Sequence, residues 1–196
     1  MAITTLNNLS INRSDTAAAD NVWTATSATA TDFQAAAAGG KLLQVVIGYK
    51  LDSESQSGIA DTWTDLADMT VTTGALATTS SRVLVMANVH VVGDEHIGIK
   101  IVDGAGSDIT NFIGDTTGSR TRATAGSAYR ANNDMAYVFN GMAIDSPAST
   151  DAQTYKIQWR CATTAILFFN RIGSNDANNQ DNFSFMSSIT AMEIAG

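Results

Sequence analysis

From Lys41 onward, short apolar runs alternate with turns rich in Gly, Ser, Thr, Asn and Asp, at a spacing of about ten residues. That spacing constrains the fold more than any other feature. It is too short for strand–helix–strand units and suits consecutive antiparallel strands in a sandwich or barrel. "KLLQVVIGY" (41–49) is expected to be a buried strand. In "WTDLADMTVTT" (63–73), Leu66, Asp68 and Thr70 alternate with Ala67, Met69 and Val71. "SRVLVMANVHVV" (81–92) places Val83, Val85, Ala87, Val89 and Val91 on one face, and "HIGIKIV" (96–102) does the same with Ile97, Ile99 and Ile101. "GDE" (93–95) between them is expected to be a hairpin turn. A short strand is expected near Ile109–Ile113, then strands at 135–144, in "TYKIQWRCATTAILFFNR" (154–171) on either side of a Thr163–Thr164 turn, and in 182–196. No amphipathic helix competes. The expected fold class is all-β: an antiparallel β-sandwich, jelly-roll-like, with an extended N-terminal arm.

Composition agrees. Hydrophobic residues make up 44% of the 196-residue chain and charged residues only 15%, so Thr, Ser, Asn and Gly must supply much of the surface. Surface helices lean on Glu and Lys instead. The net charge of -8 argues against nucleic-acid and anionic-membrane partners, which need clustered Lys and Arg. A single cysteine excludes an intrachain disulfide framework. No apolar run has the length of a membrane-spanning helix, and the first residues carry no secretory pattern, so a soluble product of a cytoplasm is expected.

Residues 1–40 have a different texture, with Ala, Thr, Ser and Asp around widely spaced Leu6, Leu9, Ile11, Trp23 and Phe33. They suit either a polar tail or an arm that orders against a partner, with Leu6, Ile11, Trp23 and Phe33 as its anchors. "DFQAAAA" could add a helical turn closed by Gly39 and Gly40. The expected division is an attachment arm, 1–40, and a β-knob, 41–196.

The residue types that do chemistry are sparse. His90 and His96 bracket Asp94 and Glu95, and a hairpin could bring the imidazoles together, but the spacing is no recognised metal pattern. Cys161 shares a strand face with Tyr155, Ile157 and Trp159, where a thiol acts as a small hydrophobe; a nucleophile would need a base beside it. Asp103, Asp108 and Asp115, and the loop "GSNDANNQDN" (173–182), offer hard oxygen ligands without the spacing of a calcium loop. No phosphate loop, dinucleotide fingerprint or nucleophile elbow is present. No catalytic residue, cofactor or metal is therefore expected. Arg120, Arg122 and Arg130 concentrate positive charge in the long polar section 103–134, either as a solvated loop or as a docking loop for an acidic neighbour.

"YKIQWR", the apolar run ending in "NR", the Asn/Asp-rich loop and "SSITAME" follow one another in the order found in small virion surface proteins of tailed bacteriophages. "SSRVLVMANVHV" and the N-terminal "TTLNNLSINRSDTA" with "WTATSATATDFQ" and "GGKLLQVV" are similar to other parts of that group. The resemblance covers most of the chain through strand and turn patterns. It implies a jelly-roll-like knob, usually a homotrimer, on the outside of a virion, as a capsid decoration (cement) protein or as a tail-fibre or head-fibre tip. The partners it implies are further copies of the chain, a major capsid protein or another virion protein, and, for a fibre tip, a host glycan. It assigns no catalytic or metal residue.

Overall fold

In the computed structural model the described residues are 21–25, 31–35, 40–127, 135–173, 180 and 182–196, the first two segments by their backbone alone. The chain divides into two compact units, Met1–Gly39 and Gly40–Gly196. In the first, β1 (Asn21–Ala25) pairs antiparallel with β2 (Thr31–Ala35), so that Trp23 stands opposite Phe33 in the register. Asp32–Ala35 is therefore strand, where the sequence suggested the start of a helical turn. Ala35 follows its ladder partner Asn21 here, since propensity is a weak prior against pairing.

The second unit is an all-β antiparallel sandwich. Its strands are β3 (Leu42–Lys50), β4 (Glu54–Gly58), β5 (Thr64–Thr72), β6 (Arg82–Val92), β7 (Ile97–Asp103), β8 (Ala125–Gly126), β9 (Tyr137–Asp145), β10 (Thr154–Cys161), β11 (Ala165–Phe169) and β12 (Ser187–Ile194). One sheet runs β5-β10-β7-β8. In the other, β12 lies between β3 and β6, and β9 flanks β6. The orders β3-β12-β6-β9 and β5-β10-β7-β8, with successive strands switching sheets at nearly every connection, are the connectivity of a jelly roll.

That connectivity corrects two expected hairpins. β6 and β7 do not pair, and "GDE" carries the chain from one sheet to the other. β10 and β11 likewise belong to opposite sheets, so the Thr163–Thr164 segment is a crossover. Each of these strands finds its partners far away in sequence, as β10 does in β5 and β7. The expected strand at 109–113 is a 3-10 turn, Thr110–Phe112, that buries Phe112.

The inner faces follow the period-2 pattern. Val83, Val85, Val89, Val91, Ile97, Ile99, Ile101, Tyr155, Ile157, Trp159 and Cys161 are all buried in one cluster. Trp159 meets Phe169 of the opposite sheet edge-on, with ring centroids 5.7 Å apart, and its Nε1 donates to Gln56 Oε1 at 2.6 Å. Gly58 makes room for that indole, since a Cβ there would lie 2.6 Å from both the ring and Cys161 Sγ. In β5 the expected alternation breaks. Leu66 and Met69 are both buried, because a bulge with Asp68 at φ 60° inserts extra residues opposite β10 between Lys156 and Gln158.

β11 and β12 lie end to end along the same neighbours. β3 pairs with β12 and β4 pairs with β11, so the ladder is continued across a chain excursion, 170–186. The junction is a buried polar node. Asn170, at φ 57° and fully buried, donates through Nδ2 to the carbonyls of Lys50 (2.8 Å) and Asp52 (3.0 Å). Ser187 Oγ donates to Asn170 Oδ1 at 2.6 Å and accepts from the His90 backbone N–H at 3.0 Å. The carbonyls of Lys50 and Asp52 and the N–H of His90 thus find side-chain partners where the chain leaves and rejoins the sheet.

Candidate functional site

The expected site residues do not converge on one place. Leu6, Ile11 and Arg130 lie outside the described residues, as does most of the loop 173–182. Trp23 and Phe33 sit on the paired strands β1 and β2. Arg120 is exposed on the loop after the 3-10 turn, and Arg122 Nε donates to the Gly114 carbonyl at 2.7 Å, bracing that loop. The two arginines are therefore placed differently, one outward and one partly spent on its own loop.

The carboxylates of the same loop each have a local task. Asp103 accepts from the Ser107 N–H at 2.7 Å, Asp108 pairs with Lys100 at 2.8 Å, and Asp115 accepts from the Thr116 N–H at 2.7 Å. His90 stacks on Phe185, with centroids 5.2 Å apart, and no hairpin brings it to His96. Among the described residues, no group of three His, Cys, Asp or Glu side chains is arranged to hold a metal ion. Cys161 is buried in the core, where desolvation pushes its thiol pKa up, away from the thiolate.

What the fold does create is a pair of contrasting outer faces. On the four-stranded sheet the outward positions are polar and mutually satisfied. Lys156 Nζ reaches Asp65 at 2.6 Å, Gln158 Nε2 donates to the same carboxylate at 2.8 Å, and Arg160 pairs with Asp61. Lys100 Nζ lies 4.4 Å from the centre of the Trp63 ring, and Thr72 bonds Thr154. Burial alone would raise the Asp65 pKa, but the hydrogen bonds from Lys156 and Gln158 outweigh it and hold the carboxyl below its usual value.

On the sheet built from β3, β12, β6 and β9 the central outward positions carry no charge and are mostly apolar. The register places Val45, Met192, Leu84 and Ile144 in one row across the four strands, and Ile47, Thr190, Met86 and Met142 in the next. A third row is Tyr49, Ser188, Asn88 and Asn140, whose two amides bond each other at 2.7 Å. Val45, Ile47, Tyr49, Met142 and Ile144 are exposed. Small side chains in the middle leave a groove of about 440 Å³ between Met86, Met142, Ser188 and Thr190.

This face corrects the expectation that 41–49 is a buried strand. β3 is at the edge of its sheet and turns only Gln44, Val46, Gly48 and Lys50 inward. The run looked buried because both of its faces carry aliphatic residues. Its one legible signal was the parity of Gln44, Gly48 and Lys50, and those polar and small residues prove to be the inner set.

Inside this sheet two charged groups are buried. Lys50 Nζ is 3.1 Å from Asp52, 3.2 Å from Glu54 and 3.8 Å from Asp68. Desolvation would lower its pKa, and the hydrogen bonds to Asp52 and Glu54 outweigh that and raise it. Glu193 accepts from Gln44 Nε2 at 2.6 Å and from the Ala77 N–H at 2.7 Å. Burial pushes its carboxyl pKa up, and these donors with Ser81 more than compensate, leaving it low. Both groups tie β3 and β12 to neighbouring loops. No protein-family model matches the chain, and no curated protein matches it.

Proposed function

We propose that this chain is a structural protein of a tailed-bacteriophage particle: a homotrimeric capsid decoration (cement) protein that sits on the outer shell and is attached by its N-terminal unit. The observation that carries the proposal is the jelly-roll connectivity, reached by a chain whose strand and turn patterns resemble phage virion surface proteins. That architecture recurs in viral capsid domains. The division at Gly39–Gly40 gives the polar N-terminal segment, with Trp23 and Phe33 on its ribbon, an independence that suits gripping a separate protein. Such a protein strengthens a shell by mass action, because it binds the assembled state and not the dissociated one. Several attachment segments on one trimer would add avidity. The role is non-catalytic, and its site of action is the particle exterior after synthesis in the host cytoplasm.

The test is copy number. Quantitative protein staining of purified virions, or the position of the density in particle images, should find many copies distributed over the head. Protein lacking residues 1–40 should remain folded and fail to bind undecorated heads. A few copies confined to the tail would instead establish a fibre-tip role with a host glycan or other receptor. Absence from the particle would refute the proposal.

A further inference from the structure

The outer face of β3, β12, β6 and β9 leaves a question that the virion reading does not answer. The outward positions from 43 to 49, 188 to 194, 84 to 90 and 138 to 144 contain no Asp, Glu, Lys or Arg, and the exposed Arg82, opposite Ile194, stands at one end of the face. The chain as a whole carries a net charge of -8. Its charge is thus displaced from this face, while the other sheet's outer face is laced with ion pairs. Four strands about 4.8 Å apart and seven residues long make roughly 450 Å² of sheet, polar positions included, which is the size of the largest patches that soluble monomers expose. Leu51, 70% exposed, and Met186, 46% exposed, flank the Lys50–Ser187 pair and extend it. The face is thus more than half of one side of a stable interface, about 800 Å².

From this we infer that the outer face of β3, β12, β6 and β9 is where copies of this chain pack on one another. Charge decides the occupant. Two acidic chains repel wherever their charged surfaces meet, and this face lets like copies approach without a Coulomb cost. A strongly basic partner would be matched better by the acidic surface elsewhere. The relief also fits a second copy: the edge strand β3 offers Val45, Ile47 and Tyr49 as a ridge, and the groove beside Met142 is floored by Ser188 and Thr190. A ridge on one copy seated in the groove of the next is a heterologous contact, the kind that closes into rings such as a trimer. The inference deepens the proposed role by naming the surface through which the copies assemble.

The test uses the full chain in analytical ultracentrifugation over roughly 1–100 μM, a range in which mass action separates weak from stable assemblies. Wild type should sediment at a multiple of 20.6 kDa. Met142→Glu and Ile47→Glu, both at exposed positions, should keep the β-sheet circular dichroism and weaken association at least tenfold. Lys156→Glu on the opposite face should leave the mass unchanged. A readout without substitutions is peroxide oxidation. Met142 is 69% exposed and Met135 is 46% exposed, so Met142 should react first in dilute protein and become protected relative to Met135 as concentration rises. A monomeric wild type throughout the range, as expected if a protein of other sequence covers this face, would overturn the inference. So would folded glutamate variants of unchanged mass, or dissociation by Lys156→Glu. An oligomer through this face that is absent from virions would refute the decoration role alone. Decorated heads carrying an undiminished Met142→Glu assembly would refute this interface alone.

Discussion

Both sheets of the sandwich turn apolar rows inward, and they differ in where they keep their charged groups. The sheet β5-β10-β7-β8 keeps its inner face apolar, with Tyr155, Ile157 and Trp159, and sets Asp65, Lys156, Gln158 and Arg160 outside. The sheet containing β3, β12, β6 and β9 turns Val45, Ile47, Met86 and Met142 outward and buries Lys50, Asn170, Ser187 and Glu193. The difference teaches where each sheet's polar groups matter. Exposed pairs compete with water and with side-chain entropy, so each contributes little. Buried ones have no alternative partner, so losing one is costly. This sheet hides Lys50 and Glu193 and shows a mostly apolar, uncharged centre outside.

The largest effect should come from the buried node. Asn170→Ala would leave the Lys50 and Asp52 carbonyls and the Ser187 hydroxyl without their partner, and would force a left-handed backbone on a residue with no side-chain compensation. A loss of about 3 kcal/mol or more is expected in urea unfolding. A loss below about 1 kcal/mol would mean that the buried side of this sheet is no more sensitive than an exposed one.

Next comes Glu193. Because its folded pKa lies below its usual value of 4.5, it stabilises the fold above that pH, and the contribution is lost as pH falls through the lowered folded value. Glu193→Gln should cost about 1.5–3 kcal/mol near neutrality, the range for hydrogen bonds to a charged group. Wild type and variant should converge in acid. Asp65→Asn, on the outer face of the other sheet, has the same sign of linkage, since its folded pKa is also lowered. Its acid-dependent difference should be clearly smaller, because water screens this half-exposed carboxylate. Thermal melts of the three proteins across pH 3–7 compare them. Equal acid steps in the two variants would erase the contrast.

The smallest effect should belong to Lys156→Ala. Removing the partner of Asp65 at 2.6 Å is expected to shift stability by about 0.5 kcal/mol, with added salt narrowing the gap to wild type. A shift above about 2 kcal/mol would place that outer face among the structural elements.

The resemblance to phage surface proteins supplied the jelly-roll expectation, while the residues themselves made most strands legible. β6, β7 and β10 carry strict alternation over long runs, so their inner faces could be named residue by residue. β4, "ESQSG", was not legible, because its five residues contain no aliphatic side chain and it is held by backbone pairing to β11 and by the Trp159–Gln56 bond. The bulge at Asp68 was equally hidden, since alternation reports parity and not the insertion that reverses it. Of the named site residues, Asp103, Asp115 and Arg122 bond to neighbouring loop backbone, and Asp108 pairs with Lys100 of β7. The apolar outer face was missed because a residue's hydrophobicity does not say whether it faces the core or the outside.

Sequence by itself determined that this protein is an antiparallel β structure with an apolar inner row on β6, β7 and β10, because side-chain parity is a local property of the extended backbone. It also determined the acidity and the absence of any familiar catalytic pattern. Only the tertiary structure decided which strands neighbour one another, that 93–95 and 162–164 cross between sheets, and that β3 ends at an edge with Val45 and Ile47 outside. Those outcomes depend on pairing between residues as far apart as Gln44 and Glu193. Such pairing is fixed by the closure of the whole sandwich, so no local window of the chain contains it.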